Sequence, residues 1–235
     1  ADSLAANITY SVYNTADTIS TPPTDAGKYT ARVQVGDRGI YVDYTIEPKE
    51  VTVTDIIAYD NIYDGTTNTT IDGAPAKIEG KLDSDEVNAD CSNATATFAD
   101  KNVGINKTVT ITGIVLTGKD AANYKLAAPL TAKADISSRK LFIKSVSIAD
   151  KEYDGSDTAT VENVEFTNPV AGDNISLPLT ARFENANAGE EKTVILSAGT
   201  LLGNDAGNYT FDNRTLPTNC TATIRKTTPT GAPKY

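Results

Sequence analysis

The sequence predicts an all-β chain made of small sandwich modules in tandem. Three observations carry this: a long internal repeat, short alternating apolar runs separated by Gly, Asn and Asp clusters, and a composition rich in Thr, Val, Ile and Ala. The segment IYDGTTNTT around Tyr63 returns 90 residues later as EYDGSDTAT around Tyr153, and Phe98 to Leu126 returns 85 residues later as Phe183 to Phe211. A period of this size is a whole small domain, since solenoid units repeat at no more than roughly 50 residues. Modules of about 90 residues approach the size of a seven-strand sandwich and fold without disulfide or metal staples.

The repeat divides the chain into residues 1–48, a short or N-terminally truncated first unit; 49–138, the first repeated module; 139–226, the second; and 227–235, a Pro-, Gly- and Thr-bearing linker to a following module. A recurring phrase marks the boundaries: IEPKEVTV from Ile46, ISSRKLFI from Ile136 and IRKTTPT from Ile224. Each sets the last strand of one module a few residues before the first strand of the next. Links this short restrict bending between neighbours.

Within the units, YTARVQV (Tyr29 to Val35), TVTITGIVL (Thr108 to Leu116) and TVIL (Thr193 to Leu196) read as strands, with turn residues between runs at about 8–12-residue intervals. Thr, Val and Ile suit pleated, half-buried surfaces. Asp37-Arg38-Gly39 reads as a tight hairpin turn. Single helical turns are expected at Asp120 to Asn123 and Asp205 to Asn208.

Composition excludes several classes of function. The net charge of -10 argues against nucleic acid and against contact with an anionic membrane. No apolar run approaches the length needed to span a bilayer. The chain has no His, Met or Trp, which removes Ser-His-Asp and Cys-His nucleophiles and His-ligated zinc. Abrupt ends suggest a segment of a longer protein, with targeting signals outside it.

Cys91 and Cys220 fall at non-equivalent places in the two modules, so they are not a repeated bridge. A cross-module disulfide, with its demanding geometry, or two separate thiols in strand faces remain the alternatives. Acidic clusters at Asp83, Asp85, Glu86, Asn88 and Asp90, and at Asn204, Asp205 and Asn208, offer oxygen ligands, but their spacing fits no EF-hand loop. They read as solvated loops, and no metal or cofactor is expected. No pair of carboxylates is placed about a cleft as glycoside hydrolysis needs, so no catalytic residue is assigned and no enzyme is expected. A Lys–Asn isopeptide crosslink would require a buried Lys that pattern does not identify. Asn-x-Thr/Ser triplets at Asn7, Asn68, Asn93, Asn106, Asn174, Asn208, Asn213 and Asn219 follow from the abundance of Asn and Thr.

A small pattern recurs in all three units: Asp25-Ala26-Gly27-Lys28-Tyr29, Asp120-Ala121-Ala122-Asn123-Tyr124 and Asp205-Ala206-Gly207-Asn208-Tyr209. Each Tyr opens a strand. The pattern resembles the Asp-x-Gly-x-Tyr corner of immunoglobulin-like domains, in which the Tyr hydroxyl bonds back to the loop backbone. The resemblance implies tandem immunoglobulin-like sandwiches, with a β-grasp-like arrangement as the alternative for the first unit. Ala122 in place of Gly implies a turn without positive φ. Tyr63-Asp64-Gly65 and Tyr153-Asp154-Gly155 follow the first strand of each module, with Asp-Gly making a turn and Tyr capping one end of the core.

Together these residues resemble the YDG domains found in tandem in large bacterial surface adhesins. The match rests on the two YDG triplets, on FADKNVGINK (Phe98 to Lys107) with its echo FENANAGEEK (Phe183 to Lys192), and on Leu116 to Tyr124 with Leu201 to Tyr209. The first unit is similar to the MBG-type repeats that accompany YDG domains. The resemblance implies an extracellular, bacterial cell-surface or secreted location and a repeat-built, monomeric stalk. From strands of about 33 Å, the rod would span about 80–110 Å. The alternative is that the modules themselves bind a host glycan or matrix protein, weakly singly and by avidity together.

Overall fold

A computed structural model describes residues 7–227. The fold is all-β: strands and three short 3-10 turns make up every regular element among the described residues. No helix there is long and apolar enough to cross a membrane. The described residues gather into two compact units: residues 7–59, 68–99 and 108–134, and residues 60–67, 100–107 and 135–227.

The first unit opens with an antiparallel four-stranded sheet, in the order Thr18–Ile19, Asn7–Val12, Gly27–Val35, Arg38–Ile46. Val35 pairs with Arg38, so the hairpin turn is Gly36-Asp37, one residue earlier than the sequence suggests. The following strand, Lys49–Thr54, is held from both sides. Lys77–Glu79 pairs with it antiparallel, and Tyr124–Leu126 pairs with it parallel through Tyr124 and Lys49. Val51, Val87 and Tyr124 bury together there against Ile78, Leu116 and Leu126. Thr95–Phe98 pairs with Gly104–Thr112, and Phe98 and Val109 are buried.

The second unit contains a complete five-stranded sheet: Lys151–Glu152, Thr221–Arg225, Gly189–Ala198, Leu179–Phe183, Thr158–Ala159. Its core is Phe183, Val194, Ile224, Ala159 and Ala222. Alternation along TVILSA gives Val194 to this core and leaves Ile195 exposed. The strand Tyr209–Phe211 pairs parallel with Arg139–Leu141, with Tyr209 opposite Arg139. This repeats the pairing of Tyr124 with Lys49.

One further pairing fixes where the YDG turns lie. Asn61–Ile62 runs parallel to the closing strand Leu130–Ser137, and Lys151–Glu152 runs parallel to the closing strand Thr221–Arg225. Tyr63 then donates its N–H to Ser137 O and Tyr153 to Arg225 O, both at 2.9 Å. Parallel neighbours leave the sheet at the same end. Each YDG turn therefore sits beside the end of its module's closing strand.

The three DA-x-x-Tyr pentapeptides do not occupy one structural position, which corrects the expectation of three equivalent corners. At Asp120 and Asp205 the chain makes a 3-10 turn, Ala121–Asn123 and Ala206–Asn208, and the Tyr opens a three-residue strand. Asp25-Ala26-Gly27 instead leads into a nine-residue strand beginning at Gly27, as Asn102-Val103-Gly104 and Asn187-Ala188-Gly189 lead into long strands at Gly104 and Gly189. Only Tyr29 bonds back to its own loop, donating to Asp25 O at 3.0 Å. Neither Gly27 nor Gly207 has positive φ, so Ala122 fits its turn as readily as Gly207 fits the equivalent one.

Candidate functional site

The most elaborate side-chain cluster lies inside the second compact unit, where residues 60–67 and 100–107 meet the second module. At its centre is Asp173, whose side chain is 4% exposed. Its Oδ2 accepts from the hydroxyls of Tyr209 at 2.6 Å and Tyr63 at 2.8 Å. Its Oδ1 lies 3.4 Å from Lys101 Nζ, which is also 3.7 Å from Asp205 Oδ1. The ammonium stands 5.7 Å from the centre of the Tyr63 ring, within cation–π range. The Tyr63 and Tyr209 rings meet edge to face with centroids 5.4 Å apart, a preferred aromatic geometry.

Each component is placed by backbone already described. The parallel pairing of Asn61–Ile62 delivers Tyr63, and the parallel pairing with Arg139 delivers Tyr209. Arg139 adds a bond from Nη1 to Tyr63 O and one from Nε to Asn168 O. Gly65, at φ +82°, brings its backbone so close to Val170 that a Cβ would lie 2.6 Å from Val170 Cγ1. Asn208, 5% exposed, completes the seat. Its Oδ1 accepts from Val103 N–H at 2.9 Å and its Nδ2 donates to Asn102 Oδ1 at 3.2 Å.

Burial pushes the Asp173 carboxyl up, but the Tyr209, Tyr63 and Lys101 donors outweigh it and hold the group below its ordinary value. Burial, reinforced by the Asp173 charge, pushes the Tyr209 hydroxyl up to about 12. Burial likewise raises Tyr63, against the lowering effect of Lys101. The carboxylate thus stays charged and the phenols stay protonated over the neutral range. A carboxylate held by three donors in this way ties together the chain segments that supply them.

The same grammar appears within the first compact unit. Asn123 Oδ1 accepts from Ala26 N–H at 2.7 Å, and its Nδ2 donates to Asp25 Oδ1 at 2.9 Å. Asn123 therefore treats Asp25-Ala26-Gly27 as Asn208 treats Asn102-Val103-Gly104. Tyr124 donates to Asp85 Oδ2 at 2.7 Å and accepts from Leu82 N–H at 3.0 Å, while Tyr209 also accepts from Val170 N–H at 2.9 Å. Asp120 and Asp205 accept from the N–H of Glu86 and Asn174. The Tyr and Asp of each DA-x-Asn-Tyr turn clamp a loop of their own module, and the Asn reaches to the unit before it in sequence. A polar cleft of about 270 Å³, lined by Asp25, Lys49, Asp85, Asn123 and Tyr124, lies beside this first seat.

The structure thus brings together Tyr63, Gly65, Asp205 and Tyr209 in one cluster and Asp25, Asp120 and Tyr124 in the other. Tyr153, Asp154 and Gly155 join neither. Asp154 is held down to about 2 by Lys151, with Ser156 adding to the effect, and Tyr153 is 44% exposed. Sequence reasoning missed Asp173, Lys101, and the bonding roles of Asn123 and Asn208. The equivalence of Ser84-Asp85-Glu86 with Gly172-Asp173-Asn174, 88 residues apart, was the available signal. It also missed Gly118 and Gly203, at φ +109° and +113°, where a Cβ would collide with the carbonyl oxygens of Glu86 and Asn174. Cys91 and Cys220 are half-buried thiols, each within its own unit. Lys192 is a buried lysine, 8% exposed, and it donates to Asn185 Oδ1 at 2.8 Å.

The YDG domain family profile matches residues 47–132 and again residues 137–232. The chain belongs to the YDG domain family. No curated protein matches it. Among solved structures it is similar to the three N-terminal domains of the bacteriophage RB49 Highly Immunogenic Outer Capsid protein (Hoc), at 11% identity, covering 83% of this chain and 69% of that one, with a TM-score of 0.26. That likeness is too slight to carry an argument. The two YDG matches each contain one YDG triplet and one DA-x-Asn-Tyr turn, so the YDG family unit is also the unit of the bonding grammar.

Proposed function

We propose that this chain is a non-enzymatic spacer segment of a bacterial cell-surface adhesin, a stalk that holds a distal binding region away from the cell. In this reading the two YDG modules are immunoglobulin-like sandwiches, residues 1–48 are an MBG-like unit, and the location is extracellular. One observation carries the reading. The same asparagine-on-strand-entry seat is built twice, by Asn123 on Asp25-Ala26 and by Asn208 on Asn102-Val103. A contact repeated at every module boundary suits a part whose task is mechanical continuity. A catalytic site would be singular.

Small-angle scattering on the intact chain tests the proposal. A stalk gives the cross-section of a thin rod and a maximum dimension of about 80–110 Å. A compact globule, or a profile of freely jointed beads, refutes it.

A further inference from the structure

The second YDG turn has the local geometry of the first and lacks its partners. Asp64 Oδ1 accepts from the N–H and hydroxyl of Thr66 at 2.8 and 2.9 Å, and Asp154 Oδ1 accepts from the N–H and Oγ of Ser156 at the same distances. Gly65 and Gly155 have φ of +82° and +80°. Yet Tyr63 is 1% exposed and Tyr153 is 44% exposed. Val170 fills the space before Gly65, whereas a Cβ at Gly155 would meet nothing within 4 Å. No described residue accepts from the Tyr153 hydroxyl.

The strand entry beside it is vacant in the same sense. Asn102 N–H is turned inward to Asp100 Oδ1 and Asn187 N–H to Asn185 Oδ1, so both tripeptides have one conformation. Val103 N–H is taken by Asn208, but among the described residues Ala188 N–H has no acceptor. Ala188, Gly189, Thr223 and Arg225 line an open depression at this end. Two strand entries of this type are filled by an asparagine from the next module, and no described residue fills the third.

We infer that the end of the second module formed by Tyr153, Gly155 and Asn187-Ala188-Gly189 is a docking surface for a further YDG-type module. The occupant presents a DA-x-Asn-Tyr turn. Its asparagine amide accepts from Ala188 N–H and donates to Asn187 Oδ1, its loop carboxylate accepts the Tyr153 hydroxyl, and an aliphatic side chain packs on Gly155. Ala186 stands where the first module has Lys101, so this contact has no ammonium and is less sensitive to salt than the one at Asp173.

The test replaces residues 227–235 by a copy of residues 139–226 joined directly after Lys226, with the same replacement by residues 49–138 as a second variant. Amide exchange at Ala188 and nitration of Tyr153, read by peptide mass mapping, report the contact. Docking slows Ala188 exchange at least tenfold, to the level of Val103, and lowers Tyr153 nitration to the level of Tyr63. Asn208→Ala within the appended copy restores fast Ala188 exchange. If neither extension protects Ala188, the surface is not a module seat. If Tyr153 is already protected in the original chain and becomes reactive when residues 228–235 are removed, the occupant is that segment and the inference fails. Either failure leaves the scattering profile of the original chain, on which the stalk reading rests, untouched.

Discussion

The hydroxyls of Tyr63 and Tyr209 converge on a single oxygen, Asp173 Oδ2, at 2.8 and 2.6 Å. The two residues are 146 positions apart in sequence and come from different YDG matches. Their shared acceptor makes the first YDG triplet part of the second module's seat.

That relationship separates the two YDG tyrosines. Tyr63→Phe removes one donor from a buried carboxylate and should cost about 1.5–3 kcal/mol, the range for hydrogen bonds to charged groups. Tyr153→Phe removes a hydroxyl that no described residue accepts and should fall within about 0.5 kcal/mol of the parent. Urea unfolding of the two variants side by side checks the contrast. Equal effects would show that the cluster contributes nothing beyond ring packing.

Asp173 sets a dependence on pH. Its folded pKa is depressed, so its contribution is complete above the unfolded carboxyl value of about 4 and is lost as pH falls through the lower folded value. Tyr209, pushed up to about 12, contributes fully below about pH 10 and loses that contribution as pH climbs from there toward 12. Asp173→Asn should therefore be less stable than the parent at pH 7 and should approach it as pH falls below about 4. Denaturation midpoints across that range, parent against variant, isolate this carboxyl from the others. Parallel curves would remove Asp173 from the account.

Gly203 and Gly207 lie four residues apart and should respond oppositely to alanine. At Gly203 a Cβ would stand 2.2 Å from Asn174 O at φ +113°. Substitution there requires the 170–174 loop to move and should cost on the order of 3 kcal/mol. At Gly207 a Cβ meets nothing within 4 Å and φ is not positive. Gly207→Ala should be neutral or stabilising by about 0.4–1 kcal/mol, through reduced freedom of the unfolded chain. Thermal unfolding decides the sign of each.

Asn208→Ala takes away the acceptor of Val103 N–H and the donor to Asn102 at a buried position. It should cost about 1–3 kcal/mol and speed Val103 amide exchange selectively. Asn123→Ala should do the same at Ala26. An unaltered exchange rate at Val103 would mean that the asparagine is not what holds the strand entry.

The sequence was sufficient for the all-β class, the duplication and the single helical turns at Asp120 and Asp205. These depend on local chemistry: period-two alternation, turn residues, and similarity between two stretches of one chain. It also isolated Tyr63, Tyr124 and Tyr209. It could not say what their hydroxyls touch, because Asp173 and Asp85 lie 36 to 110 positions away and reach the tyrosines only through strand pairing. The likeness of DAGKY to DAANY and DAGNY misled for the same reason. Three or four matching letters of five do not reveal that one Asp-Ala opens a long strand while the others form a 3-10 turn, a difference set by which strands lie alongside. Tyr153 makes the point most sharply. Its triplet is identical to that of Tyr63, with the same turn and the same glycine conformation. Asp173, Lys101 and the Tyr209 ring gather round the one, while no described residue accepts from the hydroxyl of the other, which is 44% exposed.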